Sequence, residues 1–158
     1  MDTLEQEPPA SPVSETLTTD TLFPHPEILA AEAVLRQYEQ ADCPLTHRFT
    51  KGMYIRRIFM PEGTLVASKV HKTQHPFAIL HGRVSVRDRD TWVELGAGHI
   101  GITEPGTHRL LYIHEDTVWV TFHPNPTDET DLEKLEAMII EPHETPRLDE
   151  GSLPLPPP

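Results

Sequence analysis

The chain is 158 residues long, room for one compact domain with appendages, and its 25 acidic side chains against 13 basic ones give a formal net charge of -12. That balance argues against the grip on phosphates that nucleic-acid binding needs, and against docking on an anionic lipid surface. No apolar run approaches the roughly 20 residues of a membrane-spanning helix, and the single cysteine, Cys43, excludes an internal disulfide framework.

The first stretch, "MDTLEQEPPASPVSETLTTD", is acidic and polar without an apolar core, so it does not read as a secretory signal. Pro8, Pro9, Pro12 and Pro24 stand there among Ser, Thr and Glu, and residues 1–26 are expected to form an extended Pro-rich arm. "HPEILAAEAVLRQYEQAD" then predicts a helix starting just after Pro26. Ile28, Ala31, Leu35 and Tyr38 recur on one face and charges on the other, so residues 27–47 read as helix and linker. Cys43, just past this helix in "QADCPL", reads as a structural thiol rather than a nucleophile.

Residues 48–124 read as all-β. "MYIRRIFM", "TLVASKV", "FAILHG", "RVSVRD", "TWVEL", "HIGIT", "RLLYI" and "TVWVTF" are short runs rich in Val, Ile, Thr and aromatics. The breaks "PEG", "QHP", "DRD", "GAG", "EPG" and "HED" are tight turns. Strands at this density predict an antiparallel sandwich or barrel, and no internal repeat suggests a solenoid. Trp92 and Trp119 read as strand packing. In residues 125–158, "TDETDLEKLEAMII" predicts a second helix with Thr and Asp as caps and Leu132, Leu135, Met138 and Ile139 as its stripe. The last stretch, "HETPRLDEGSLPLPPP", reads as a polyproline-like tail.

The histidines raise the functional question. "GTLVASKVHKTQHPFAILHG" runs from Gly63 to Gly82 and resembles the first motif of the cupin superfamily: Gly, five residues, His, one, His, three or four, Glu, six, Gly. Lys69 stands in the first His slot, His71 in the second and His75 in the Glu slot. The second cupin motif is matched by Gly98 and Gly106, with Glu104 in its proline slot, Arg109 in its histidine slot and Ile113 in place of Asn. His108 comes one residue early, and one residue of slip moves a strand side chain to the other face. Either His108 points inward with Leu110 and Tyr112, or Arg109 does with Leu111 and Ile113.

The resemblance implies a cupin-type jelly-roll barrel, an all-β core with a flanking helix on each side and extended Pro-rich termini. It also implies a mononuclear site at His71, His75 and His108 for a divalent metal such as Fe, Mn, Ni or Zn, acting as a Lewis acid or on the pKa of bound water. Against this stand the cation of Lys69 in a ligand slot and the missing carboxylate. The competing reading has no cofactor, with His71 and His75 as polar residues at the mouth of the barrel. His81 and His123 read as surface or strand-end residues, and His99, His114 and His143 as solvated. No pair among Glu94, Glu104, Glu115 and Asp116 is spaced for acid–base work, and no Gly-rich phosphate loop, Ser-His-Asp set or Cys-rich zinc motif is present.

A narrower resemblance, over roughly residues 50–140, is to small uncharacterised cupin proteins encoded by tailed bacteriophages. It implies a structural or interaction module rather than an enzyme, virion-associated and oligomeric. Such a module would bind copies of itself or other virion proteins through its arms, with no nucleic-acid or membrane partner. Apolar residues on both faces of "TLVASKVH" (Leu65 and Ala67 against Val66 and Val70) fit a pairing of sheets. The expected location is the virion or the bacterial cytoplasm. The alternative is a small mononuclear metal-dependent enzyme, an oxygenase or isomerase of a small polar metabolite.

Overall fold

The computed structural model describes residues 26–88 and 90–142. Apart from Pro26, the two Pro-rich arms lie outside the described residues. Half of what is described is strand, arranged as two larger antiparallel sheets and a separate two-stranded ladder, with a short helix near each end of the described residues.

The first helix, α1 (Pro26–Leu35), begins on its proline, whose fixed φ suits the first helical turn. It is shorter than the sequence pattern predicts. Gln37 N and Tyr38 N reach back only three residues, to the carbonyls of Val34 and Leu35, and the Gln40 amide caps the carbonyls of Leu35 and Tyr38. Tyr38 therefore falls past the helix and is 67% exposed. Ile28 and Ala31 are buried against Leu110, with Leu35, Leu65, Ala67 and Trp92 packed around them.

The strands are β1 (Leu45–Thr50), β2 (Gly52–Met60), β3 (Leu65–Ala67), β4 (Val70–His71), β5 (His75–His81), β6 (Arg83–Asp88), β7 (Thr91–Gly96), β8 (Ile100–Thr103), β9 (Arg109–Ile113), β10 (Thr117–Asn125) and β11 (Ile140–Glu141). One sheet runs β1-β2-β10-β5-β8 and the other β3-β9-β6-β7. Setting β1 aside, the chain alternates between two four-stranded sheets in the order of a jelly roll. Among the described residues no ladder joins the two sheets, so the core is a sandwich rather than the closed barrel expected. The strand β1 begins at Leu45, in the stretch read as linker, and pairs along β2 from Leu45↔Ile58 to Thr50↔Met53.

Period-two alternation sets the inside. Ile58 and Met60 of β2, Phe77 and Ile79 of β5, Val84 and Val86 of β6, Leu111 and Ile113 of β9 and Trp119 of β10 form one cluster between the sheets. Burying each such side chain is worth about 1.5–3 kcal/mol, so this end of the sandwich supplies most of the cohesion. Phe77 and Trp119 stack at its centre, ring centroids 4.4 Å apart. The crossing from β5 to β6 turns on Gly82 at φ +89°, where a Cβ would sit 2.4 Å from the Asp116 carbonyl oxygen, so only glycine fits.

The second helix, α2 (Leu132–Ile139), starts on Asp131, whose carboxylate accepts from Glu133 N and Lys134 N at 3.0 and 3.3 Å. Leu135 and Ile139 are buried against Tyr54, whereas Leu132 and Met138 of the predicted stripe are 44% and 39% exposed. The chain then enters β11, which pairs with β4 through Ile140↔His71 and Glu141↔Val70.

Candidate metal centre

Opposite the apolar end, the interior of the sandwich turns polar. The inner row of β10 continues from Trp119 through Thr121 to His123, and His123 is fully buried. The strand runs on through Pro124, which the ladder tolerates because there β10 pairs with β2, while its ladder with β5 ends at Thr121↔Phe77. His75 opens β5 and is 1% exposed. His71 arrives on β4, held from one side by β11 and from another by Gly106 N, which donates to its carbonyl at 2.8 Å.

These three imidazoles converge. Ring centroids are 4.5 Å apart for His71 and His75, 4.3 Å for His75 and His123, and 5.5 Å for His71 and His123. One ring nitrogen from each lies within 4.8 Å of the other two. The Nδ1 of His75 lies 3.0 Å from the Thr73 carbonyl, which can only accept, so the proton sits on Nδ1 and Nε2 carries a lone pair. His123 Nε2 meets Thr121 Oγ1 at 2.8 Å. Among the described residues, His123 Nδ1 and His71 Nε2 are buried without a hydrogen-bond partner. Burial, then His75, His123 and the guanidiniums of Arg56 and Arg109, hold the His71 pKa down at about 2. Burial with the neighbouring His75 and Arg56 holds His123 at about 3, and burial also lowers His75, against the raising effect of the Thr73 carbonyl. All three are neutral at physiological pH, the state in which imidazole ligates a metal.

His71 and His75 thus meet as their spacing suggests, but the third member is His123. The second motif resolves with Arg109 inside. Pairing of Asp88 with Arg109 and of Val86 with Leu111 puts Arg109, Leu111 and Ile113 on the inner face of β9. His108 leaves on the opposite face, which α1 covers, and its Nε2 lies 3.3 Å from Glu32 Oε2. The turn before β9 keeps every residue, with Thr107 N donating to Glu104 O, so His108 is not drawn into the interior. Lys69 pairs with Glu136 of α2 and leaves its ligand slot without a donor. The signal for His123 was its place two residues beyond Thr121 and four beyond Trp119, masked by the proline that made the strand look finished.

Beside His71 and His75 lies a cavity of about 230 Å³, walled by Met60, Leu111 and Trp119 and bearing Arg56, Lys69 and Arg109. It shares Cys43, Val66, Ala67, Ser68 and Lys69 with a broader groove between α1 and α2, which gives it a way in.

No protein-family model and no curated protein matches the sequence. Solved structures with a similar strand arrangement include an uncharacterised conserved protein with a double-stranded β-helix domain from Klebsiella pneumoniae, 18% identical, spanning 58% of this chain and 84% of that one at a TM-score of 0.48. A cupin-2 domain containing protein from Shewanella frigidimarina is 14% identical over 60% of this chain and 91% of its own, with a TM-score of 0.44. A predicted oxalate decarboxylase from Thermotoga maritima is 17% identical over 54% and 84%, with a TM-score of 0.46.

Proposed function

We propose that the chain is a mononuclear divalent-metal protein whose ion is held by His71, His75 and His123 and faces the adjoining cavity, where a small molecule is bound and acted on. The observation that carries this reading is the convergence of three buried, neutral imidazoles, two of them with a ring nitrogen that has no other partner among the described residues. Leaving such nitrogens buried and unmatched costs about 1–3 kcal/mol each, and a metal bond removes that cost. Three nitrogen donors with open positions suit Zn, Fe or Ni better than the oxygen-seeking Mg or Ca. When bound, such an ion supplies Lewis acidity and lowers the pKa of a coordinated water.

The chain's own residues provide the rest. The Thr73 carbonyl fixes the tautomer and orientation of His75, as partners behind metal ligands commonly do. Trp119, Met60 and Leu111 restrict water, which strengthens every polar contact in the cavity. This reading favours the metal-dependent enzyme over the virion module. The module depends on terminal arms outside the described residues, and a phage setting would concern where the protein works rather than what this site does.

The test is the metal content of untagged protein by plasma mass spectrometry, beside His71→Ala, His123→Ala and His108→Gln. About one transition-metal ion per chain is expected in the native protein and in His108→Gln, and none in the other two. Metal retained in His123→Ala would overturn the ligand set. Absence of stoichiometric metal from the native protein, even after incubation with Zn, Fe, Mn and Ni salts, would overturn the reading.

A further inference from the structure

The chain carries a net charge of -12, yet none of the residues lining the 230 Å³ cavity is Asp or Glu, and three of them are cations. That inversion calls for a local explanation, because a charge inside a sandwich is costly unless something compensates it. Lys69 is compensated by Glu136 on α2. Arg109 is partly so: its Nε lies 3.6 Å from Asp88 Oδ2, its Nη1 donates to Thr103 Oγ1 at 2.9 Å, and its guanidinium sits 5.3 Å from the centre of the Phe77 ring.

Arg56 differs. It lies on the inner row of β2 between Tyr54 and Ile58, with His47 of β1 and Thr121 of β10 as its cross-strand neighbours. Among the described residues no ion pair to an acid compensates it, and burial depresses its pKa, with Tyr54 the one group acting the other way. A strand needing only bulk there would be served by an apolar residue like Ile58 or Met60, its inner-row neighbours.

We propose that this cavity binds a small organic carboxylate, with Arg56 and Arg109 receiving the carboxylate and Trp119, Met60 and Leu111 packing its apolar body. The inference rests on the reading of this end of the sandwich as the functional site and names the class of molecule that the site takes. Guanidiniums suit the task because their planar forks match a carboxylate with two parallel hydrogen bonds. The cavity's size limits the ligand to a small acid, below the usual range for drug-sized molecules. The same cations explain why the anion matters to the metal. Arg56 and Arg109 line the same cavity as His71 and His75, and two guanidiniums this near the imidazoles disfavour a bare divalent ion there. A carboxylate bound between them removes that repulsion, so anion and metal bind with positive coupling.

The experiment uses the full chain after chelator treatment, with benzoate as probe, benzyl alcohol as the uncharged ring and inorganic phosphate as the charge without a body. Titration calorimetry and tryptophan fluorescence, followed in Trp92→Phe so that Trp119 alone emits, read binding. One benzoate per chain is expected, weakened about tenfold or more in Arg56→Gln and in Arg109→Gln. In Arg56→Lys, which keeps the charge but loses the fork, the weakening should be smaller; that variant guards against misfolding in Arg56→Gln. Re-addition of Zn should tighten benzoate, and benzoate should tighten Zn by the same factor. Benzoate that fails to bind, binds equally to Arg56→Gln and Arg56→Lys as to the native chain, or is matched by benzyl alcohol overturns the proposal. Phosphate binding as tightly as benzoate overturns the part played by the apolar wall. Since the first titration is done without metal, a protein that binds benzoate but no ion loses only the metal reading. One that binds an ion but no benzoate loses only the carboxylate.

Discussion

At the scale of single residues, Arg56 is a charge placed where the fold could take an apolar side chain. Arg56 occupies an inner position of β2 whose neighbours on the same row, Ile58 and Met60, pack the core. If its guanidinium serves a ligand, the ligand-free protein carries a desolvated charge as a cost of function, the usual conflict between an active cavity and a stable one. Replacing it by methionine, which keeps the length of the chain without the charge, is expected to raise stability by about 1–2 kcal/mol. Urea denaturation at unchanged m-value reads this directly. A lower midpoint for Arg56→Met would mean that the guanidinium stabilises the empty protein and is not held in reserve. The residue scale is also where the sequence was hardest to read. His71 and His75 are four apart with motif glycines on either side, so spacing alone brought them together. Choosing between His108 and Arg109 required knowing which face of β9 is covered by α1, a long-range fact. His123 required knowing that a strand survives a proline.

At the scale of elements, the site depends on a clamp. The strand β4, which carries His71, is two residues long and among the described residues makes one ladder, with β11, another two-residue strand. That pair is set by α2, which anchors through Leu135 and Ile139 on Tyr54 and places the Ile139 carbonyl to accept from Lys72 N at 2.8 Å. The helix is eight residues long, too short to form alone, so its first-turn cap carries disproportionate weight. Asp131→Ala is expected to cost about 1 kcal/mol of stability. It should also speed amide exchange at Lys72 more than at Val84 in the apolar core, since the clamp opens without the core. Equal acceleration at both sites would mean that clamp and core open as one unit. Eight runs were legible because Val, Ile, Thr and aromatics cluster in them between tight turns, although "TLVASKV" divides into β3 and the start of β4. The strands β4 and β11 were not, because two residues have no period. The strand β1, "LTHRFT", escaped because its side chains are mostly exposed and its pattern has no buried face to announce.

At the scale of the molecule, the two sheets enclose a gradient, apolar around Ile79, Val84 and Ile113 at one end and occupied by imidazole and guanidinium at the other. The polar end makes the whole fold sensitive to acid in a way the apolar end cannot. In the unfolded chain a histidine titrates near 6.5. In the folded, metal-free protein His71 and His123 keep their neutral form down to about 2 and about 3. Between those limits the unfolded state binds protons that the folded state refuses, so stability is complete above about 6.5 and falls as the pH drops. Each such histidine contributes a slope approaching about 1.4 kcal/mol per pH unit. Burial lowers His75 as well, so chelator-treated protein should lose stability in urea between pH 6.5 and 4.5, and His123→Gln, which removes one of the three protonation sites, should show a shallower loss. Chelator-treated protein as stable at pH 4.5 as at pH 7 would mean that the imidazoles protonate in place and that their end of the sandwich admits water freely. That outcome would also weaken the case for the buried carboxylate site, because a wet cavity would hydrate Arg56 and leave it no need of a ligand.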